Sequence, residues 1–367
     1  MKLQVLQENL KSAVSLTSHF ISSKAQLPIL SNILIQTDKS KLILSATNLE
    51  NSITTSVAAK IEKEGEITVN GKVLNDIVSN LSSGTIEIEV IKEQIKLVSP
   101  NFKLNILGTN TSDFPKLPKG IGKNPVVLNR DEFIQSLSKI LFSVSLDETR
   151  PILTGVLFSF KNKSLSLVAT DGFRLSEINL KTKVESDDIN LIIPKSILNE
   201  IIRIEGDNEI KFSYDKNNKQ VIFRVGDNLL SSRIIEGEFP DYKKIIPKNI
   251  ECTLNVDKYE LDKAVKLASV FSRDSGNIVK LKVKNNKLLV SAESSTSGSQ
   301  ETELEIRSED SVDTEIMFNY RFIEEAVKVI ENDEIQIKTT GPNTAAIFLD
   351  TNFSNFLHLI MPIKSQK

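Results

Sequence analysis

The sequence is poor in residues that bring special chemistry. One cysteine, Cys252, in 367 residues excludes an internal disulfide framework. Flanked by strand-like residues, it reads as a small buried hydrophobe. Two histidines, His19 and His358, cannot supply a His-rich metal centre, and neither HExxH nor CxxC occurs. The strand-to-helix elbow GxSxG is missing. GIGKN at 120–124 lacks the upstream glycine of a phosphate loop and reads as a link. No window approaches about 18 consecutive apolar residues, which excludes a spanning helix. The opening MKLQVLQENLKSAV has no charged segment followed by an unbroken apolar run, so no signal peptide is expected. Net charge is only −2, so no global basic field points to nucleic acid or anionic membrane. These absences predict a cytoplasmic protein without cofactor, metal or membrane contact.

What the chain has is repetition. Its length suggests two to three domains, and its 40% hydrophobic and 26% charged residues are ordinary for a globular protein. LPILSNILIQTDKSKLILSATNLE (27–50) and RPILTGVLFSFKNKSLSLVATDGF (150–173) match without a gap at an offset of 123 residues. The same offset again reaches NIVKLKVKNNKLLVSAES (277–294). Apolar residues alternate in all of these runs, the mark of strands with one buried face. Asp38-Lys39-Ser40, Lys161-Asn162-Lys163 and Asn285-Asn286-Lys287 lie between the runs as hairpin links.

Helical spacing recurs too. The segments 9–21, 131–144 and 258–271 precede the hairpins, and 71–81, 194–204 and 319–330 follow them. Pro194 is expected in the first turn of its helix and Asn319 as a cap. Each repeat thus reads as strand, helix, hairpin, strand, helix and closing strands, an α+β unit. The closing segments DFPKLP, EFPDYKKIIP and LIMP predict three domains, 1–120, 121–249 and 250–367.

Asp171, in LVATDGFRL, is the best single candidate for an acid catalyst. Its counterparts are Asn48 and Glu293, so a repeated turn residue is the simpler account. The acidic run 308–315 reads as a solvated loop. More suggestive are the basic helix residues Lys11, Lys139, Lys195, Arg203, Lys258, Lys263, Lys266, Arg321 and Lys328, with Lys24 and Arg150 before the hairpins. On equivalent helices of repeats set around an axis, such groups could track a phosphate backbone without reading bases. From residues alone, three readings stay open: a ring-forming DNA holder, a monomeric tandem-repeat adaptor and a hydrolase using Asp171.

LPIL (27–30), LVATDGFRL (167–175), FPDY (239–242) with IIP (245–247) and IMPIK (360–364) resemble the β subunit of bacterial DNA polymerase III, the sliding-clamp family, over essentially the whole chain. The resemblance implies tandem DNA-clamp domains, each with two helices packed on antiparallel sheet. It implies a head-to-tail ring dimer that surrounds duplex DNA with its helices lining the hole. It implies a non-catalytic processivity factor for the polymerase III α subunit, which also docks the clamp loader and repair proteins. The family's peptide cleft, between its second and third domains, maps onto Leu153, Thr170, Gly172, Arg174, Leu175, Pro240, Lys244, Ile245, Leu359, Met361 and Pro362. Its dimer interface maps onto Ile77, Leu81, Phe102 and Leu104 meeting Val270 and Phe271, with Glu301, Glu303 and Glu305 near Lys72 and Lys103. DNA contacts are expected at Lys24, Arg150, Lys195 and Arg203. Phe173, Lys244 and Lys364 replace residues common in the family, and Ser365-Gln366-Lys367 extend past its usual end.

Overall fold

The computed structural model describes residues 1–22, 27–308 and 313–364, with the side chains at 183–187 outside that description. Lys24, the middle of the acidic run 308–315, and the last three residues therefore lie outside the described part. The chain divides into two compact units, Met1–Arg130 with Asn199–Ile234, and Asp131–Leu198 with Ile235–Lys367. Each unit holds one outer repeat and part of the central one.

The first unit is built on one sheet, with thirteen strands among the described residues. Helices α1 (Gln7–Ser18) and α2 (Gly71–Ser79) belong to its first repeat and pack on one another. Asn70 caps α2 by accepting from the Val73 amide at 3.1 Å, which satisfies one of the amides a helix start leaves open. Leu10, Val14, Leu74 and Val78 point inward from the two helices onto Ile33, Ile35, Leu42 and Leu44 of the hairpin, all of them buried.

The second unit is built on a sheet with ten strands among the described residues. It contains α3 (Arg130–Ile140) from Asp131 on, α5 (Lys258–Ser272) and α6 (Tyr320–Val329). The division between the units falls inside α4 (Lys195–Arg203). The α4 helix begins one residue after Pro194, which ends the strand Arg174–Pro194 rather than forming a first helical turn. Asn319 does cap α6, accepting from the Arg321 amide at 3.0 Å. Cys252 is buried.

The expected hairpin links recur as geometry. Lys39, Asn162 and Asn285, each 123 residues from the last, adopt left-handed φ of 52°, 55° and 51°. The pairing plan recurs as well. In the first repeat Asn51–Ala58 pairs with Lys41–Thr47 on one side and with Asn228–Arg233, the last strand of the second repeat, on the other. In the second repeat Arg174–Pro194 pairs with Gly155–Thr170 and with Phe356–Ile360, the last strand of the third. The corresponding strand of the third repeat, Gly298–Ser308, has no such continuation. Residues 298–305 pair only with Lys287–Ser294 among the described residues. The last strand of the first repeat, Phe102–Thr109, likewise leaves residues 102–107 paired only with Gln94–Ser99.

Candidate peptide pocket and basic surface

The turn at Thr170–Arg174 is set by its own side chains. Thr170 Oγ1 donates to the Arg174 carbonyl (2.6 Å) and accepts from the Gly172 amide (3.0 Å). Asp171 Oδ1 accepts from the amides of Phe173 (2.9 Å) and Arg174 (3.0 Å). Asp171 is thus a turn residue, as its repeat counterparts suggest. The first repeat builds the same turn: Thr47 Oγ1 donates to the Asn51 carbonyl, and Asn48 Oδ1 accepts from the amides of Glu50 and Asn51. The left-handed position is Gly172 (φ 92°) in one and Leu49 (φ 74°) in the other. A glycine there carries no steric cost and leaves the surface bare.

The neighbouring strand locks onto this turn, because the Met361 amide donates to the Phe173 carbonyl at 2.8 Å. Opposite each other in that ladder, Leu175 and Leu359 are fully buried. With Leu157, Val168 and Ile192 they form the apolar floor. Tyr242 of the FPDY motif anchors the next segment to it. Its hydroxyl donates to Glu177 at 3.0 Å, and burial, then the Glu177 charge, pushes that hydroxyl up to about 12. Leu153 and Thr170 are also buried, whereas Gly172, Pro240, Lys244 and Ile245 are exposed and Met361 and Pro362 half-buried. A pocket of about 380 Å³ brings together Lys244, Ile245 and Met361 of the expected set. Sequence reasoning missed its other lining residues, Ile246, Pro247, Lys248, Thr340, Asn343, Thr344 and Ala345. IIP contained two of them, but the 340–345 loop carries no signal that would assign it there.

Arg174 departs from its expected place as a wall of the cleft. It is only 8% exposed, held behind the turn. Its Nε donates to Asp171 Oδ2 (3.1 Å), its Nη2 to the Phe142 carbonyl (2.7 Å) and its Nη1 to Glu325 of α6. The guanidinium also stacks near the rings of Phe142 (5.1 Å) and Phe322 (4.7 Å). Beside it, Ser176 Oγ meets both Ser143 Oγ and His358 Nδ1 at 2.8 Å. Burial, then the Arg174 charge, lowers His358 to about 3. That ring is neutral and structural.

The basic residues divide. Arg150 is exposed and pairs with Asp147 at 3.1 Å, and its Nη1 stands 3.2 Å from where a Cβ on residue 172 would be. Arg150 thus lies against the Thr170–Arg174 turn. Lys195, at the start of α4, is half-buried, and burial followed by the Arg174 charge holds its ammonium below the usual lysine range. Arg203 is exposed and paired with Glu200 at 3.0 Å. Lys139 is not a surface group at all. With its side chain 3% exposed, it contacts Glu331 at 3.2 Å and Asp350 at 3.8 Å and lies over the Phe353 ring. Lys258 donates to the Ile330 carbonyl. Lys11, Lys263, Lys266, Arg321 and Lys328 are exposed.

Of the six expected interface residues, two lie on an open strand stretch and four on or just after helices. Phe102 and Leu104 are half-buried on the edge strand of the first unit, Ile77 is half-buried on α2, and Leu81 is half-buried just after it. Val270 is exposed and Phe271 half-buried on α5. Leu107, 76% exposed on the same edge strand as Phe102, was not anticipated. Among the described residues no group of three His, Cys, Asp or Glu could hold a metal ion, and no helix is long and apolar enough to cross a membrane.

Family models described as the DNA polymerase III beta subunit match the chain at residues 1–118 (N-terminal domain), 127–241 (central domain) and 243–364 (C-terminal domain). A protein named beta sliding clamp from Synechocystis sp. is 31% identical over 99% of both chains. One from Staphylococcus aureus is 29% identical over 94% of both. The DNA polymerase sliding clamp of Bacillus subtilis superposes with a TM-score of 0.93 at 26% identity, covering 100% of each chain.

Proposed function

Because the chain belongs to the DNA polymerase III β subunit family, the bacterial sliding clamps, we propose that its open strand edges, basic helices and 380 Å³ pocket are the working surfaces of such a clamp. The protein is a non-catalytic processivity factor. It encircles duplex DNA as a dimer, tethers the replicative polymerase and docks the clamp loader and other clamp-binding proteins. We set its three domains at 1–120, 121–249 and 250–367, and place it in the bacterial cytoplasm with the DNA it serves.

The observation that carries ring closure is the pairing plan. Twice within the chain, the strand after the turn takes up the last strand of the following repeat. The third repeat offers that strand with its edge free, and the first repeat offers a free last strand. A second copy, added head to tail, satisfies both of these edges. The internal pairs also set the register. Arg174 faces Ile360 and Asn51 faces Ser232. The corresponding pair joins Gly298 to Ile106 of the partner subunit. Three residues further along, Glu301 then faces Lys103 of the partner subunit, and Gln300 faces Leu104 of the partner subunit. An opposite-charge pair directly across a ladder favours this register over its neighbours.

A closed ring holds DNA topologically, so tight contacts are unnecessary and would oppose sliding. Exposed cations such as Lys11, Lys263, Lys266, Arg321 and Lys328 suit that task, since each attraction to a phosphate is weak and screened within about a Debye length of 8–10 Å. Arg203 and Lys195 contribute from α4, and Arg150 from the loop before the hairpin. The cleft itself takes a short linear peptide whose apolar anchors rest against Ile245 and Met361.

Two measurements test the reading together. Solution mass by sedimentation should give two chains. After loading, the protein should stay on closed circular DNA and run off linear DNA of the same sequence. A monomer, or equal loss from both DNAs, would refute the closed-ring mechanism.

A further inference from the structure

Another cavity, of about 510 Å³, lies in the third repeat beside the start of α5, wholly inside the second unit. Its volume is within the range of about 300–1,000 Å³ usual for small-molecule sites. Its walls are held together at two points. The Lys258 amide donates to the Asp333 carbonyl at 2.7 Å, and Lys258 Nζ donates to the Ile330 carbonyl at 2.5 Å. The segment after α6 is thereby clipped to the first turn of α5, and the cavity is lined from both.

Most of the charged lining is already engaged. Asp257 caps α5, accepting from the Glu260 amide at 2.9 Å. Asp262 holds Lys266 at 2.5 Å, and Lys258 is committed to the clip. Three groups keep their binding capacity. Tyr259 is 70% exposed, unlike the buried Tyr242 and Tyr320, so its ring serves no core. The Lys328 ammonium and the Asp333 carboxylate are exposed, and neither side chain has an ion pair or hydrogen bond among the described residues.

A surface that only tracks phosphates is best positive throughout, yet this lining sets three aspartates against three lysines. A bare phosphate would meet Asp333 as repulsion. A ligand that suits all three free groups has an aromatic face, donors along its edge and an anion at its other end. Any nucleobase stacks on an open tyrosine ring, and a carboxylate beside the ring then sorts bases by their edges. Guanine presents its N1–H and its amino group side by side, and a carboxylate accepts from both. Thymine has one N–H between two carbonyls, which a carboxylate repels.

From this arrangement we infer that the cavity binds an unpaired guanine nucleotide, with Tyr259 stacked on the base, Asp333 accepting from its edge and Lys328 meeting its phosphate. Duplex DNA inside the ring is not this ligand, because its bases are stacked and paired with one another. The nucleotide is free in solution or belongs to a single strand.

The test uses the full-length protein, with deoxyguanosine and thymidine 5′-monophosphates followed by calorimetry. Two end-labelled thymine oligonucleotides, alike except for one central guanine, are followed by fluorescence anisotropy. Deoxyguanosine monophosphate should bind about tenfold tighter than thymidine monophosphate. Tyr259→Ala should weaken it about tenfold, and Tyr259→Phe, which keeps the ring, by no more than about twofold. Asp333→Ala should bring the two nucleotides to within about twofold of each other. Both positions are exposed, so the variants keep the fold. A guanine preference among the oligonucleotides assigns the site to a single strand, and one confined to the mononucleotides assigns it to a free nucleotide. No guanine preference in either format, guanine binding indifferent to Tyr259→Ala, or a preference that survives Asp333→Ala would overturn the inference.

Discussion

Replacing Arg174 with methionine removes a charge at the one place where the cleft turn, the end of α3 and α6 share a group. The guanidinium is 8% exposed and bonds to Asp171, Glu325 and the Phe142 carbonyl. Breaking a buried ion pair by deleting one partner costs about 3–5 kcal/mol, chiefly from the charge left behind. The Asp171 side chain is nearly buried, but that of Glu325 is 38% exposed, so water relieves its share. The bare Phe142 carbonyl adds about 1 kcal/mol, and methionine retains most of the packing against Phe142 and Phe322. The expected loss is about 3 kcal/mol for the second unit. With no tryptophan in the chain, urea unfolding is best followed by circular dichroism.

The same substitution should speed amide exchange at Phe173 and Arg174 and weaken an apolar clamp-binding peptide about tenfold, since the Met361 amide hangs on the Phe173 carbonyl. A double-mutant cycle with Glu325→Gln should return a coupling of about 1–2 kcal/mol. A loss below about 0.5 kcal/mol, with turn exchange unchanged, would refute the view that Arg174 acts from behind the cleft.

Three further outcomes are expected. Folded His358 binds a proton only near pH 3 whereas the unfolded chain does so near 6.5, so stability is full above 6.5 and falls as pH drops. That loss is about 1.4 kcal/mol per pH unit, or about 2 kcal/mol by pH 5, and His358→Gln should flatten it in urea titrations across this range. Lys103→Glu should weaken the dimer about tenfold in sedimentation and Glu301→Lys should restore it, whereas a pair out of register would show no rescue. Lys139→Met removes the ammonium that lies over Phe353 and strands the charge of the buried Asp350 and its neighbour Glu331, so thermal unfolding should report about 2 kcal/mol lost. An unchanged or raised melting temperature would mean the hydrophobic replacement compensates for the lost pair.

Much of the molecule was legible in one dimension because its signals are local and repeated. Alternation in three runs at a single offset predicted the hairpins, and the polar residues between them took the left-handed conformation such links need. Six helices fell within a few residues of their expected bounds, since helical periodicity and caps such as Asn70 and Asn319 are themselves sequence features. Asp171 could be read as a turn residue because its counterpart in the first repeat, Asn48, does the same work.

Tertiary structure alone decided which side of a surface each polar group occupies. Lys139 and Lys195 both sit on helices with charged neighbours, yet one is buried under Phe353 and the other half-buried beside Arg174. Periodicity tells a helix's inner face from its outer one but not which outer face another element will cover. The burial of Arg174 could not be read from the sequence, because its acidic partner Glu325 lies 151 residues away. The 340–345 loop and Lys248 joined the pocket for the same reason. Local pattern determines elements and their repetition; the environment of a charge is set by residues distant in sequence, and only the folded chain brings them together.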